Sequence, residues 1–316
     1  MRGHTLLDFG VYHWDFGVSA GNFGPAGGTG EGIGGRLERW GDVILARPES
    51  RAGGPRTLSA EAWDRADAAF EGRVGGGRWR TSHTLPDRWP IAHAGLKFLV
   101  GLAPSGHTGL FPEQATLWSW MIERLRAAGH PQAGPDANAP EVLNLFAYTG
   151  GASVALAKAG ARVTHVDASR PSIGWARDNA ALNDVSTIRW IHEDARRFVD
   201  REGRRGRRYD GLLLDPPAFG RGPAGDWHLD RDLGGLLESA VALLRPNPAF
   251  VVLNVYTESA LAETLERVLA WATDGRPDAS HRSTEAGTLW LPAADGRGLA
   301  TGVYARATWT PRADRG

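Results

Sequence analysis

Apolar positions in the C-terminal two-thirds of the chain follow two alternating rhythms. Leu117, Trp118, Met121, Ile122 and Leu125 fall at helical spacing, with Gly129 as a stop. Residues 142–147 form a short apolar run, and 152–159 a helical pattern closed by Gly160. Residues 162–166 read as a strand, and 171–182 as a helix with Pro171 in its first turn. Three more strands follow at 187–191, 209–214 and 249–255, with helices over 195–202, 231–244 and 259–272. This βαβα order predicts a parallel sheet with helices on both faces. Two long strand patterns, 281–291 and 299–309, are joined by ADGRG, a hairpin signal. The expected fold class is therefore α/β, a Rossmann-like sheet ending in an antiparallel hairpin.

The N-terminal third is patterned differently. Strand-like runs occur at 42–46 and 91–102, and residues 59–70 read as an amphipathic helix capped by Ser59. The stretch 17–35 holds nine glycines in nineteen positions, and 71–78 (EGRVGGGR) is similarly thin, so both are expected to be flexible loops. Three regions result: 1–105, a small β-rich accessory or substrate domain; 106–140, a helix and linker; and 141–316, a catalytic domain.

Composition narrows the chemistry. Of 316 residues none is cysteine, which excludes disulfides, thiolate metal sites and thiol nucleophiles. No paired-histidine helix motif appears, so no metal site is expected. No long apolar stretch opens the chain and no run approaches a membrane span, so a cytoplasmic protein without membrane partners is expected. The formal net charge is zero, so contact with a polyanion would need a local patch. Positive charge is nearly all arginine, Lys97 and Lys158 being the lysines, which reflects the Gly-, Ala-, Arg- and Pro-rich composition.

In open α/β sheets, ligands bind beyond the carboxyl ends of the strands. After the strand at 142–147 come Tyr148, Thr149, Gly150 and Gly151, where glycine permits a tight turn close to a ligand. Asp167 follows the next strand, placed to accept bonds from ribose hydroxyls of a nucleoside cofactor. Asp194 follows the third, where a carboxylate can meet an adenine amino group. Asp215-Pro-Pro-Ala-Phe219 follows the fourth. Each acid alone could equally be a helix N-cap; four successive strand ends bearing such groups point to a ligand. The two prolines fix the turn and remove N–H donors, so Asp215 and nearby carbonyls form an acceptor cluster, and Phe219 can stack on a base.

The segments VLNLFAYTGGASVALAKAGARVTHVDAS, WARDNAALN, EDARRFV and YDGLLLDPPAFGRG resemble the class I S-adenosylmethionine (SAM) methyltransferases of the ribosomal-RNA large-subunit family. The resemblance covers roughly residues 95–310 and extends to Gly109-Leu-Phe-Pro-Glu-Gln114. It implies SAM as cofactor. Tyr148 to Gly151 would hold its methionine end, Asp167 its ribose and Asp194 its adenine, with Phe146 and Ser169 in the same loops and Gln114 at the pocket edge. Asp215, Pro216 and Phe219 would face the methyl group and the acceptor.

Relatives that methylate cytosine carbon-5 use a cysteine after the fifth strand; here that place reads Leu253-Asn-Val-Tyr-Thr-Glu258, which excludes the thiolate route. Methylation of a nitrogen on an RNA base, in ribosomal RNA, is the expected reaction, the substrate being inferred from kinship. Residues 196–208 place seven arginines in thirteen positions and could grip phosphates, or could form a solvated helix end. Trp79, Trp89 and Trp227 are candidate stacking platforms, and residues 220–230 a candidate lid. The alternatives are a small-molecule or protein methyltransferase and a non-catalytic SAM-fold binding protein. The sequence leaves the oligomeric state open.

Overall fold

The computed structural model describes residues 10–15, 34–52, 58–73, 76–129, 139–221, 225–278, 281–293 and 296–309. Most of the glycine-rich stretch at 17–35, the connector at 130–138 and positions 222–224 lie outside them. The chain divides into two units, Met1–Glu113 with Trp290–Thr301, and Gln114–Leu289 with Gly302–Gly316.

The first unit is rich in strands. β1 (Gly10–Asp15), β2 (Gly35–Trp40), β3 (Val43–Pro48), β4 (Ala68–Arg73) and β5 (Gly76–Thr81) form one sheet in chain order. β6 (Arg88–His93) and β7 (Leu96–Gly101) form a separate hairpin. The run expected as one strand over 91–102 is split by Ala94 and Gly95, both at positive φ, as a tight hairpin turn requires. The helix expected over 59–70 is only α1 (Ala60–Asp64). Asp67 then accepts a bond from the Ile44 amide at 2.7 Å, and Phe70 enters β4 to meet Trp79 edge-on at 5.2 Å.

Within the stretch EGRVGGGR, residues 71–73 and 76–78 are not loose but pair as β4 and β5, positions 74–75 lying outside the described residues. Gly77 is there for space: a Cβ on it would lie 2.7 Å from the Phe70 ring and 2.3 Å from the Glu71 carbonyl. Trp79 and Trp89 are not open platforms either. Their indole N–H groups donate to the carbonyls of Ala103 (2.7 Å) and Trp40 (2.8 Å). Beneath this sheet Arg47 pairs with the buried Glu38 at 2.6 Å, a fully desolvated ion pair inside a small domain.

The second unit carries α2 (Ala115–Ala127), β8 (Glu141–Leu145), α3 (Gly151–Lys158), β9 (Arg162–Asp167), α4 (Arg170–Leu182), β10 (Arg189–His192), α5 (Ala195–Arg204) and β11 (Gly211–Leu214). There follow β12 (Phe219–Gly220), β13 (Trp227–His228), α6 (Leu229–Val241), β14 (Phe250–Val255), α7 (Ala262–Asp274), β15 (Arg282–Pro292) and β16 (Gly298–Trp309), of which Trp290–Pro292 and Gly298–Thr301 are counted with the first unit. The main sheet runs β10-β9-β8-β11-β14-β16-β15. Its first five strands are parallel, and β16 runs antiparallel to β14. This is the Rossmann-like sheet with a terminal hairpin that the periodicity predicts.

Burial explains the order. All six residues of β14 are buried, the near-continuous apolar run of a strand covered on both faces. Leu143, Leu145, Leu212, Leu214, Val251 and Leu253 form one core with Phe198, Leu237 and Leu269 from the helices. Helices α2, α3 and α4 pack in one group and α5, α6 and α7 in another, as right-handed crossovers to either side of a sheet require. Among the described residues, no helix is long and apolar enough to cross a membrane.

Candidate active site

The sheet order reverses at β8. The chain steps from β8 to β9 and β10 on one side, then returns to β11 and β14 on the other. The crevice at the carboxyl ends of β8 and β11 is the topological switch point, the place where open α/β sheets bind ligands. The Asp215 amide donates to the Leu145 carbonyl at 3.3 Å, so the two strand ends stay paired to their last residues.

The β8–α3 turn is strained. Phe146 (φ 56°) and Tyr148 (φ 49°) adopt left-handed backbone, and Gly150 (φ 85°) does so without cost. For non-glycine residues such conformations cost on the order of 1–3 kcal/mol each and persist where surroundings impose them. Here the Tyr148 amide donates to Asp167 Oδ2 at 2.7 Å, and Asn179 Nδ2 on α4 donates to the Thr149 carbonyl at 2.9 Å. Below the turn, Asn144 Nδ2 donates to Ser153 Oγ (2.9 Å), which lies 3.0 Å from His165 Nδ1. Burial pushes the His165 pKa down to about 3, so this ring is a neutral structural partner at physiological pH.

Asp167 closes β9. Its carboxylate accepts from the Tyr148 amide on one oxygen and the Ser169 amide (2.8 Å) on the other. Burial raises its pKa above the ordinary carboxylate range, against those two bonds. A carboxylate offers about four lone-pair sites, so two more donors would fit. Ser169 and Asp194 are helix N-caps: Ser169 Oγ accepts the Ser172 amide at 3.3 Å, and Asp194 accepts the Arg196 amide at 2.9 Å. Asp194 is also paired with the Arg196 guanidinium at 3.1 Å.

Arg196 belongs to the arginine-rich segment but not to an open patch. It reaches the Gly225 carbonyl at 3.0 Å and Asp232 at 3.7 Å, and stacks over Trp227 at 5.9 Å. Arg201 pairs with Glu193, while Arg205 (3.5 Å) and Arg207 (3.9 Å) crowd the buried Glu202. Arg204 and Arg208 are exposed and form no ion pair with a described residue.

At the end of β11, Gln114 Nε2 donates to Asp215 Oδ2 and Asn254 Nδ2 to Asp215 Oδ1, both at 2.7 Å. Gln114 Nε2 also meets the Tyr256 hydroxyl at 3.1 Å. The Pro217 carbonyl, one of the acceptors expected on this turn, is taken by the Trp227 indole N–H at 2.7 Å. Trp227 is therefore buried structure, packed on Phe146 at 5.1 Å, and not a lid residue waiting for a base. Phe219 is the exposed ring: it is 46% accessible on the β12–β13 ribbon, edge-on to His228 at 5.0 Å. The fold thus brings Gln114, the 146–151 turn, Asp167 and the Asp215–Phe219 turn to the carboxyl edge of one sheet, with Asp194 at the adjoining strand end. The sequence reading missed Asn254, Tyr256 and Asn179, each a polar residue inside an apolar pattern. Among the described residues, no group of three acidic or histidine side chains could hold a metal ion.

Residues 46–265 match the family described as S-adenosylmethionine-dependent methyltransferase. A ribosomal RNA large subunit methyltransferase K/L from Shewanella sp. (strain MR-4) is 30% identical over 229 residues, 68% of this chain and 28% of that protein. The chain thus spans about a quarter of the length of the curated relatives it matches. The crystal structure of an SAM-dependent methyltransferase from Agrobacterium tumefaciens superposes with a TM-score of 0.80 at 34% identity, covering 98% of this chain and 92% of that one. SMU.776, solved in complex with SAH, shares the fold at 18% identity and a TM-score of 0.65, over 88% and 73% of the two chains.

Proposed function

Because the chain belongs to the S-adenosylmethionine-dependent methyltransferase family, we propose that it methylates a nitrogen of an RNA base, in ribosomal RNA, without a covalent enzyme intermediate. When bound, SAM supplies a methyl group that passes from its sulfonium to the acceptor by in-line displacement. The protein's part is alignment and exclusion of water, worth up to ~7–11 kcal/mol when orientation is good.

In this reading the α3 N-terminus, with Thr149, Gly150 and Gly151, receives the methionine carboxylate where backbone N–H groups and the helix dipole favour an anion. Phe146 and Tyr148 shape that turn. The remaining lone pairs of Asp167 take ribose hydroxyls, Ser169 holds the Asp167 loop, and Asp194 lies on the adenine side. Asp215 and the Pro216 carbonyl accept hydrogens from the target base, whose face stacks on Phe219. A base within a duplex would have to be extruded, at a few kcal/mol.

The single observation that carries the proposal is an Asp215 carboxylate held by two amide donors at the switch point, beside an exposed Phe219. The names of the relatives support ribosomal RNA as the substrate. The absence of cysteine supports a nitrogen over cytosine carbon-5. One observation favours a small-molecule or protein acceptor: net charge is zero and several arginines of the 196–208 segment are spent on internal ion pairs.

Labelled SAM and three acceptor pools test the reading: deproteinised ribosomal RNA, ribosomal subunits and a small-molecule extract, all from cells lacking this protein. Label is expected in RNA, in a methylated-nitrogen nucleoside after digestion, and lost with Asp215→Ala. Label in the extract alone would replace RNA by a small-molecule acceptor.

A further inference from the structure

Two amide side chains, distant in sequence, meet on one carboxylate. Gln114 stands one residue before α2 and Asn254 lies in β14, yet each donates to a different oxygen of Asp215 at 2.7 Å. An ionised carboxylate only accepts, so both contacts must be made by amide N–H groups and not by amide oxygens. Gln114 commits its second contact to the Tyr256 hydroxyl, which fixes the plane of its amide. Tyr256 thereby joins this cluster through its hydroxyl.

Strand register explains the convergence. β11 and β14 are parallel neighbours with Leu214 opposite Leu253, so Asp215 and Asn254 are the next residues on adjacent strands, at one level of the sheet. Asn254 is 1% exposed, and its Oδ1 has no hydrogen-bond partner among the described residues. A polar side chain buried in β14 with half its amide unsatisfied has no packing rationale. An apolar side chain would fill such a strand position better, as Phe, Val and Leu do at the other positions of FVVLNV.

We infer that Gln114 and Asn254 are positioning residues that hold the Asp215 carboxylate as an oriented anion for the acceptor. The inference rests on the reading of Asp215 as the acceptor-facing group. Both amides favour the charged, acceptor-only form, which would receive hydrogens from an amino group or stabilise positive charge growing on the attacking nitrogen as its bond to the methyl carbon forms. Neither residue need touch the substrate; each acts through Asp215.

The test reads Asp215 directly and needs no acceptor. In protein carrying carboxyl-13C aspartate, with the signal assigned by Asp215→Asn, the Asp215 titration is followed by NMR. Gln114→Leu and Asn254→Leu each remove a donor to the anion and should raise the midpoint by about one pH unit. Gln114→Glu should raise it further, because two carboxylates then share one proton. With an RNA acceptor, kcat should fall about tenfold or more in the Leu variants while the SAM dissociation constant, by calorimetry, stays within about twofold. An unchanged midpoint in both Leu variants would overturn the inference. Should the buried Asn254→Leu fail to fold, half-buried Gln114 carries the test alone. Shifted midpoints in a protein that labels no RNA would uphold the positioning role and reject the RNA substrate.

Discussion

Asp167 shows how one side chain can be a loop anchor and a ligand group together. Its two backbone bonds hold the Tyr148 and Ser169 ends of two loops, and burial makes its charge costly. Hydroxyl donors from a ribose would offset that cost. Asp167→Ala should therefore weaken SAM binding by about 1.5–3 kcal/mol, as for lost bonds to a charged partner. Calorimetry checks this, and an unaltered dissociation constant would remove Asp167 from the site. The pH dependence has a definite sign. The anion is the binding form, so affinity should drop as pH falls through the Asp167 pKa, and burial places that drop above the usual carboxylate range. Asp167→Asn, with nothing to titrate there, should lack this component.

At the scale of elements, the β8–α3 turn is a short strained hinge fixed from below. Gly150 adopts φ 85°, and a Cβ there would lie 3.0 Å from the Ala176 methyl of α4. Gly150→Ala combines left-handed strain of about 1–2 kcal/mol with that close contact. Urea denaturation should show a loss of at least this size, and SAM affinity should fall with it because Thr149 and Gly151 share the turn. Stability equal to wild type would mean that α4 can retreat without cost. The buried Asn144–Ser153–His165 and Asn179–Thr149 contacts make such retreat expensive, since each displaced polar atom would be left unpaired.

For the whole molecule, the distribution of charge matters more than its sum. The segment 196–208 is half structural: Arg196 ties Asp194 to Gly225 and Asp232, while Arg205 and Arg207 neutralise Glu202. Arg204 and Arg208 remain on the exposed rim. If that rim meets RNA phosphates, Arg204→Ala and Arg208→Ala should each reduce the slope of log affinity against log salt by about 1. Arg205→Ala and Arg207→Ala should reduce it less. Anisotropy titrations with ribosomal RNA fragments over a salt series measure the slopes, and a flat response to Arg204→Ala and Arg208→Ala would leave the segment a solvated helix end.

The βαβα rhythm and the closing hairpin were readable in the chain because periodicity is a local property of apolar residues, and the central strands β8, β11 and β14 are buried on both faces. The loop acids were readable for the same reason: they stand directly after strands, where this fold places its ligands. Local patterning could not reveal that residues 71–73 and 76–78 pair as strands, since Gly77 answers to the Phe70 ring packed against it. Nor could it show that Trp227 spends its indole N–H on Pro217, that Arg196 is an internal tie, or that Asn254 and Gln114 meet on Asp215. Those facts depend on strand order and register, which bring Gln114 and Asn254, 101 and 39 positions away from Asp215 in sequence, onto its carboxylate only after the sheet has formed.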